Sequence, residues 1–216
     1  VAGFFTPNYE PLASAFRVNL DAHGIPHHLY AVDRIGATWL AQTLRKPEIA
    51  LRALADHPNS AVILCDVDCQ IGCPLEPLLS GSADVKLLLR PKGYGYTAAS
   101  RVVVVRQTAP AKRRIEEWAI LCQAAINQVM ARGSAMNDEL LLMDAIVNTP
   151  GVKIEMLPVG FAGAEFGSQA AMNSLITHSS AHDRARPLVM AKKASKRVRR
   201  RLVSTILGKP YLEWKY

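Results

Sequence analysis

Two aspartates, Asp66 and Asp68, directly follow a continuous apolar run at 61–65. Such a run predicts a central strand that is buried on both faces of a sheet. Because alternate strand residues point to the same side, we expect both carboxylates to face one way, at the strand end where open α/β sheets bind ligands. Neighbouring carboxylates repel each other unless a cation neutralises them, and oxygen ligands favour Mg2+ or Mn2+. The pattern predicts a divalent-metal site that receives a phosphate group; the alternative is a solvated aspartate pair in a turn.

The segments around these aspartates alternate between strand and helix patterns, and a chain of 216 residues suits one compact domain. We predict strands at 2–6, 28–32, 61–65, 84–90, 101–106, 153–157 and 175–178, and helices at 11–22, 47–56, 109–131 and 137–147. This alternation indicates an α/β fold with a mostly parallel central sheet flanked by helices. The composition, 50% hydrophobic and 20% charged, excludes a disordered or collagen-like chain. No run of about 20 apolar residues predicts a membrane-spanning helix.

The positive charge of the chain is concentrated at its carboxyl end. Residues 192–216 contain nine of the 26 Lys and Arg residues and one of the 18 acidic residues, so this segment carries the whole formal charge of +8. We predict a domain at 1–190 and a basic extension at 191–216 that forms an amphipathic helix. The extension (through 192–209) is expected to contact an anionic membrane surface, to dock on the body, or to bind RNA. The neutral body makes nucleic-acid binding an unlikely role for the domain itself.

Four cysteines are present, three of them in a C-x3-C-x3-C pattern at Cys65, Cys69 and Cys73. This spacing differs from zinc sites built on C-x2-C pairs, and so few cysteines do not indicate a disulfide framework. No signal-peptide pattern opens the sequence. We therefore expect structural thiols and a cytoplasmic location, with the basic extension placing the protein at the inner face of the membrane.

The segments 5–12, 43–47 and 62–68, followed by 101–118, 137–139 and 177–179, occur in an order that resembles the nucleotide-diphospho-sugar transferases of the GT-A fold. The resemblance is to the small bacterial members and covers about residues 2–185. It implies a single GT-A-like domain and a glycosyltransferase. Such an enzyme moves a sugar from a UDP- or GDP-type donor to a glycan, lipid or protein acceptor. It also implies Mn2+ or Mg2+ as cofactor.

The resemblance further implies roles for individual residues. Asp66, Asp68 and His178 would be the metal ligands, and Asp138 would be the base that activates an acceptor hydroxyl. The donor-binding residues would be Thr6, Pro7, Asn8, Tyr9, Arg45, Lys46, Asp66, Val67, Asp68 and Ser100.

Each of these assignments has a structural alternative. Arg45 and Lys46 precede a helix, which suits a diphosphate, but they equally form a solvated basic pair. Tyr9 is either a stacking partner for the base or a packing residue. Asp138 is also an ordinary residue for a helix start. His178, taken alone, is an ordinary histidine.

Two features depart from the family pattern. Arg101 stands where relatives commonly have glycine, which leaves the donor sugar open. The segment 208–211, Gly-Lys-Pro-Tyr, follows His178 by 30 residues instead of closely, which leaves a diphosphate contact by that lysine open.

Two other classes of function remain. A phosphohydrolase also places Asp-x-Asp after an apolar strand, but it usually has Thr where this chain has Gln70. A non-catalytic protein that binds a nucleotide-sugar, or binds RNA through its basic extension, is the other alternative. The P-loop, dinucleotide-binding, G-x-S-x-G and H-E-x-x-H patterns are absent from the sequence.

Overall fold

A computed structural model describes residues 1–35, 39–72, 74–92, 95–132, 137–157, 161, 164–165 and 176–178. The helices are α1 Glu10–Ala22, α2 Trp39–Thr43, α3 Lys46–Asp56, α4 Glu76–Leu79, α5 Ala109–Arg132 and α6 Asp138–Asn148. The strands are β1 Ala2–Phe5, β2 His28–Ala31, β3 Val62–Cys65, β4 Cys69–Ile71, β5 Val85–Lys92, β6 Gly95–Val105, β7 Ile154–Met156, β8 Ala164–Glu165 and β9 Ile176–His178. Every strand and helix predicted within the described residues is present.

The main sheet has six strands in the order β2-β1-β3-β6-β5-β7. Strands β1, β2 and β3 are parallel, β6 is antiparallel to both β3 and β5, and β7 is parallel to β5. The sheet is therefore mostly parallel with one reversed strand, which confirms the predicted α/β class. A second sheet of three short strands has the order β4-β9-β8.

Helices cover both faces of the main sheet. One core lies between the sheet and α3, α5 and α6, with the fully buried Trp118 near its centre. The other lies between the sheet and α1, and includes Phe16, Leu20 and the side chains of β4. The continuous burial of β3 follows from these two layers, since all four of its residues are buried.

Cys65, Cys69 and Cys122 are buried free thiols. Burial raises the pKa of Cys65 and of Cys122 to about 12, and raises that of Cys69 well above its ordinary value. These thiols stay protonated near neutral pH, as structural cysteines do.

Some features of the sheet differ from the sequence prediction. Strand β6 begins at Gly95 instead of residue 101 and forms a long hairpin with β5. The short elements α2, β4, α4 and β8 were predicted as loops. The predicted basic helix and the extension 191–216 lie outside the described residues. No helix in the described part of the chain has both the length and the apolar character that crossing a membrane requires.

Candidate active site

The two aspartates of the sequence motif lie on a tight turn that joins β3 to β4. The turn (residues 66–69, the motif turn) is closed by a hydrogen bond of 3.0 Å from the Cys69 amide to the Asp66 carbonyl. Val67 and Cys69 are buried in the α1-side core, whereas Asp66 and Asp68 are half-buried. The inward packing of Val67 and Cys69 leaves the two carboxylates on the outer side of the turn. The predicted alternation of side chains is thus kept, although the motif sits on a turn and not on an extended strand.

Lys46, at the start of α3, is buried beside this turn and binds three acceptors. Its Nζ lies 2.9 Å from Oδ1 of Asp66, 3.3 Å from Oδ2 of Asp138 and 2.9 Å from Oγ of Ser100. Ser100 in turn donates a hydrogen bond of 2.5 Å to Oδ2 of Asp138. We call these four residues the ionic cluster. The alternative of a solvated basic pair is therefore wrong for Lys46, because its side chain is only 6% exposed.

The electrostatic balance of the ionic cluster favours a charged lysine. Burial by itself lowers the pKa of Lys46, but the carboxylates of Asp138 and Asp66 outweigh burial and raise this pKa above its ordinary value of 10.5. Lys46 is consequently an ammonium at all physiological pH values. It is a fixed positive charge in a largely dry environment, where electrostatic interactions are stronger than in water.

Ser100 reaches the cluster because β6 is irregular at this point. Leu87 of β5 pairs with Val103, but the next residue, Leu88, pairs with Ala99, so residues 100–102 bulge between the two registers. Bulges re-aim side chains and are frequent beside functional sites. The bulge also lets the carbonyl of Arg101 accept a hydrogen bond of 3.1 Å from the Asp66 amide, which ties β6 to the start of the motif turn.

Asp138 is held by its backbone as well as by its side chain. Asn137 caps α6 by accepting a hydrogen bond of 2.8 Å from the Glu139 amide, and the indole of Trp118 donates one of 3.1 Å to the Asp138 carbonyl. The Asp138 side chain is 5% exposed and faces the Lys46 ammonium. A carboxylate stabilised in this way is a weak base. The base role stays a prediction, and the surroundings of Asp138 favour a role in positioning Lys46.

The loop after β1 lies next to the motif turn. Within it, the Thr6 hydroxyl donates a hydrogen bond of 2.7 Å to Oδ1 of Asn8. Burial, and then the negative charges of Asp68 and Asp66, raise the pKa of the Tyr9 phenol, which places this ring within the electrostatic reach of both aspartates. Tyr9 also packs against the α1-side core. The packing role is confirmed, and its contact with a base stays a prediction.

Two arginines near the site carry nitrogens that lack acceptors. Nε of Arg45 and Nη1 of Arg101 are buried without a hydrogen-bond partner. A buried guanidinium nitrogen without an acceptor is costly, so these positions suit a ligand with several anionic oxygens. The sequence indicated Arg45, whereas Arg101 stood out only as a departure from the family pattern. Arg34, which acts electrostatically on Tyr9, had no sequence signal.

The residues predicted to bind a metal are partly brought together. The backbone of His178 pairs with Cys69 across β9 and β4, one residue from Asp68; the structure describes only the backbone of His178. Among the described residues, no three His, Cys, Asp or Glu side chains form a group that could hold a metal ion. The half-buried pair Asp66 and Asp68 nonetheless fits a hard divalent ion, since the pair offers carboxylate oxygens and an imidazole nitrogen is close in the register.

The architecture and the position of the motif turn are those of the GT-A fold of nucleotide-diphospho-sugar transferases. The structure matches that of a glycosyltransferase involved in the glycosylation of the major capsid of PBCV-1. The match covers 83% of this chain and 93% of that chain, with a TM-score of 0.59 and 10% sequence identity. The predicted fold is therefore confirmed.

Two further solved structures are similar over much of the chain. The galactosyltransferase LgtC in complex with donor and acceptor sugar analogs matches over 83% of this chain and 86% of that chain, with a TM-score of 0.48 and 13% identity. The glycosyltransferase GlyE in Streptococcus pneumoniae TIGR4 matches over 84% and 54%, with a TM-score of 0.45 and 12% identity. No protein-family model and no curated protein sequence matches the chain.

Proposed function

We propose that the protein is a glycosyltransferase that transfers a sugar from a nucleotide-diphosphate donor. The observation that carries this proposal is the ionic cluster, a buried ammonium held by Asp66, Ser100 and Asp138 beside the motif turn of a GT-A fold. Open α/β sheets bind their ligands at this edge, where the strands end. The cluster thus lies where a nucleotide-sugar would be bound.

The residues around the motif turn would bind the donor diphosphate. Asp66 and Asp68, with His178, would hold Mn2+ or Mg2+, and the bound ion would offset negative charge on the departing diphosphate. The unpartnered nitrogens of Arg45 and Arg101 are donors for phosphate oxygens. The loop at residues 6–9 would contact the ribose and the base of a UDP- or GDP-type nucleotide.

Lys46 supplies the second positive charge of the site. Its ammonium is fixed by three acceptors before any ligand arrives, so little reorganisation is needed when charge develops on the leaving group. Asp138 and Ser100 keep that ammonium in place. In this arrangement Asp138 acts on the reaction through Lys46, and an acceptor hydroxyl need not transfer its proton to Asp138.

Donor turnover tests this function directly. The full chain is incubated with UDP- and GDP-sugars, with and without Mn2+, and release of the nucleoside diphosphate is measured. We expect Mn2+-dependent release with at least one donor and a ligand-induced rise in melting temperature. Asp68→Asn should abolish the Mn2+ dependence, while Asp144→Asn, at an exposed position of α6, should leave it unchanged.

Three outcomes would contradict the proposal in different ways. No release with any donor would leave a non-catalytic binding protein. Mg2+-dependent hydrolysis of a general phosphatase substrate would favour the phosphohydrolase alternative. A Mn2+-dependent shift that survives Asp68→Asn would remove the metal assignment alone.

The acceptor and the location of the protein complete the proposal. We propose a cytoplasmic enzyme whose basic extension, residues 192–209, contacts an anionic membrane surface and brings the active site to a glycan, lipid or protein acceptor. Each Lys or Arg near such a surface contributes about 1 kcal/mol. Anionic vesicles should therefore retain the full chain, and replacement of the basic residues at 196–201 by Gln should abolish retention. Equal retention of the two proteins would refute the membrane contact.

A further inference from the structure

A histidine-lined cavity lies at the edge of the main sheet opposite the motif turn. Its volume is about 640 Å3, and its lining includes the first residues of the parallel strands β1, β2 and β3. Four of the six histidines of the chain line it, namely His23, His27, His28 and His57. The motif turn follows the other end of β3, so this cavity is separate from the proposed donor site.

Two of these histidines face each other across the cavity wall. Nδ1 of His28 and Nε2 of His57 are 3.4 Å apart, and their ring planes are inclined at 74°. This separation is long for a nitrogen–nitrogen hydrogen bond, whose usual range ends at about 3.2 Å. It equals the distance between two nitrogens bound tetrahedrally to one ion at about 2.0–2.1 Å from each. Both side chains are exposed, so an ion can reach them.

The first imidazole is fixed by its neighbours on β2. The His28 amide donates a hydrogen bond of 2.9 Å to the Val1 carbonyl, and its ring stacks on that of Tyr30 with 4.1 Å between centroids. The Tyr30 hydroxyl donates a hydrogen bond of 2.7 Å to Asp56, and the guanidinium of Arg52 lies 4.6 Å from the Tyr30 ring centroid. The orientation of His28 is thus supported by contacts that do not involve a ligand.

The second imidazole is anchored through its backbone at the end of α3. The His57 amide donates to the Ala53 carbonyl at 3.1 Å, and the Gln107 side chain donates to the His57 carbonyl at 2.9 Å. The two imidazoles therefore approach each other from two elements that are each held independently. Such preorganisation reduces the ordering cost of binding.

We propose that His28 and His57 form a binding site for a borderline divalent transition-metal ion such as Zn2+, with water completing the coordination. Two neutral imidazoles with both lone pairs turned inward repel each other, so the pair needs either a shared proton or a cation between its nitrogens. Imidazole ligands suit Zn2+, Cu2+ and Ni2+, whereas carboxylates suit Mg2+ and Mn2+. The site therefore differs in ion preference from the motif turn, and a bound ion would join the start of β2 to the end of α3.

The test is a Zn2+ titration of the full chain by calorimetry in excess Mg2+, which occupies carboxylate sites. We expect one Zn2+ site per chain that His28→Gln and His57→Gln each weaken by at least about tenfold, since loss of a mere supporting contact to a metal ligand costs that much. The double variant should bind no more weakly than either single variant, because the two residues act as one site. His23→Gln is the matched control, an exposed histidine of the same cavity, and should bind like the parent.

A second measurement reports on the ligands themselves. The electron paramagnetic resonance spectrum of bound Cu2+ should show splitting from two nitrogens in the parent and lose it in both single variants. The variants should melt at the parent's temperature without metal, because both substituted side chains are exposed. Absence of Zn2+ binding by the parent, undiminished binding by either variant, or an equal loss in His23→Gln would overturn the site.

Discussion

Lys46 and Lys86 are both buried, but they are partnered in different ways. Lys46 contacts two carboxylates and a hydroxyl, and the side chains of Asp66 and Asp138 are 24% and 5% exposed. Lys86 contacts Glu155 at 3.0 Å, and the Glu155 side chain is 49% exposed. The Lys86 pair borders on water, so its charges remain partly hydrated. The ionic cluster keeps its charges away from water, which costs stability unless every partner is in place.

This difference indicates what each lysine is for. A buried charge that is replaceable by an apolar side chain is poor evidence of a stabilising role. The three partners of Lys46 come from the motif turn, from the β6 bulge and from α6, and these elements meet where the donor is proposed to bind. Lys86 needs only its neighbour strand β7. The ionic cluster has the form of a preorganised site, and the Lys86 pair that of a structural contact.

Removal of each lysine should give the largest contrast. Lys46→Met leaves Asp66 and Asp138 close together without their cation, so the free energy of unfolding should fall by about 3–5 kcal/mol. Lys86→Met leaves Glu155 free to hydrate and should cost about 1 kcal/mol or less. Urea unfolding of both variants at neutral pH measures these values. Equal losses would show that the two lysines do not differ as described.

Removal of one negative charge should separate the two ends in activity. Asp138→Asn keeps the shape of the side chain but weakens the hold on Lys46, and we expect kcat/KM for the donor to fall about 100-fold, as for a misplaced catalytic group. Glu155→Gln, the matched change beside Lys86, should leave kcat/KM unchanged.

The kinetic split of Asp138→Asn also identifies the role of this carboxylate. Positioning of Lys46 predicts that KM for the donor rises and that the pH profile keeps its shape. A fall in kcat alone, with loss of the ascending limb of the pH profile, would restore the base role and contradict the positioning role.

Alkaline pH should remove the Lys46 contribution gradually. The pKa of Lys46 is raised in the folded protein, so the folded state holds this proton more tightly than the unfolded state does. The stabilisation is fully present below the ordinary pKa of 10.5 and is lost as pH rises further. The stability difference between the parent and Lys46→Met should thus be constant from neutral pH to about pH 10 and narrow above it. A difference that already narrows near pH 8 would mean that the carboxylates do not outweigh burial.

The cap of α6 should have the smallest effect. Asn137→Ala removes the hydrogen bond to the Glu139 amide and should lower the free energy of unfolding by about 1 kcal/mol. Because this cap orients the first turn of α6, activity should also fall, but less than in Asp138→Asn. Activity equal to the parent would show that the tie from Trp118 positions Asp138 without the cap.

Periodicity predicted the long elements well because burial governs both. The run at 61–65 and the apolar spacing of α5 each follow from contact with the two cores. Elements of two to five residues, such as β4 and α2, are too short for any period to show. The reversed direction of β6 was also invisible, since a buried strand has the same apolar pattern whichever way it runs.

The site was predicted residue by residue but not as an arrangement. The position of Asp66 and Asp68 after a buried strand located the motif turn, because that inference depends on neighbouring residues only. The pairing of Lys46 with Asp138 depends on how α3 and α6 pack, and no local pattern encodes that contact. Arg101 was noticed through the family resemblance, while the burial of its Nη1 required the three-dimensional structure.

The irregularity in β6 allows the two halves of its strand to change separately. Residues 95–99 take their register from the hairpin with β5, and residues 102–105 take theirs from β3. Because the intervening residues absorb any mismatch, the tip of the hairpin can be lengthened or exchanged without displacing Ser100. The hairpin tip is therefore the place to graft new loops when altering what this scaffold accepts, since the chemistry beneath it keeps its own alignment.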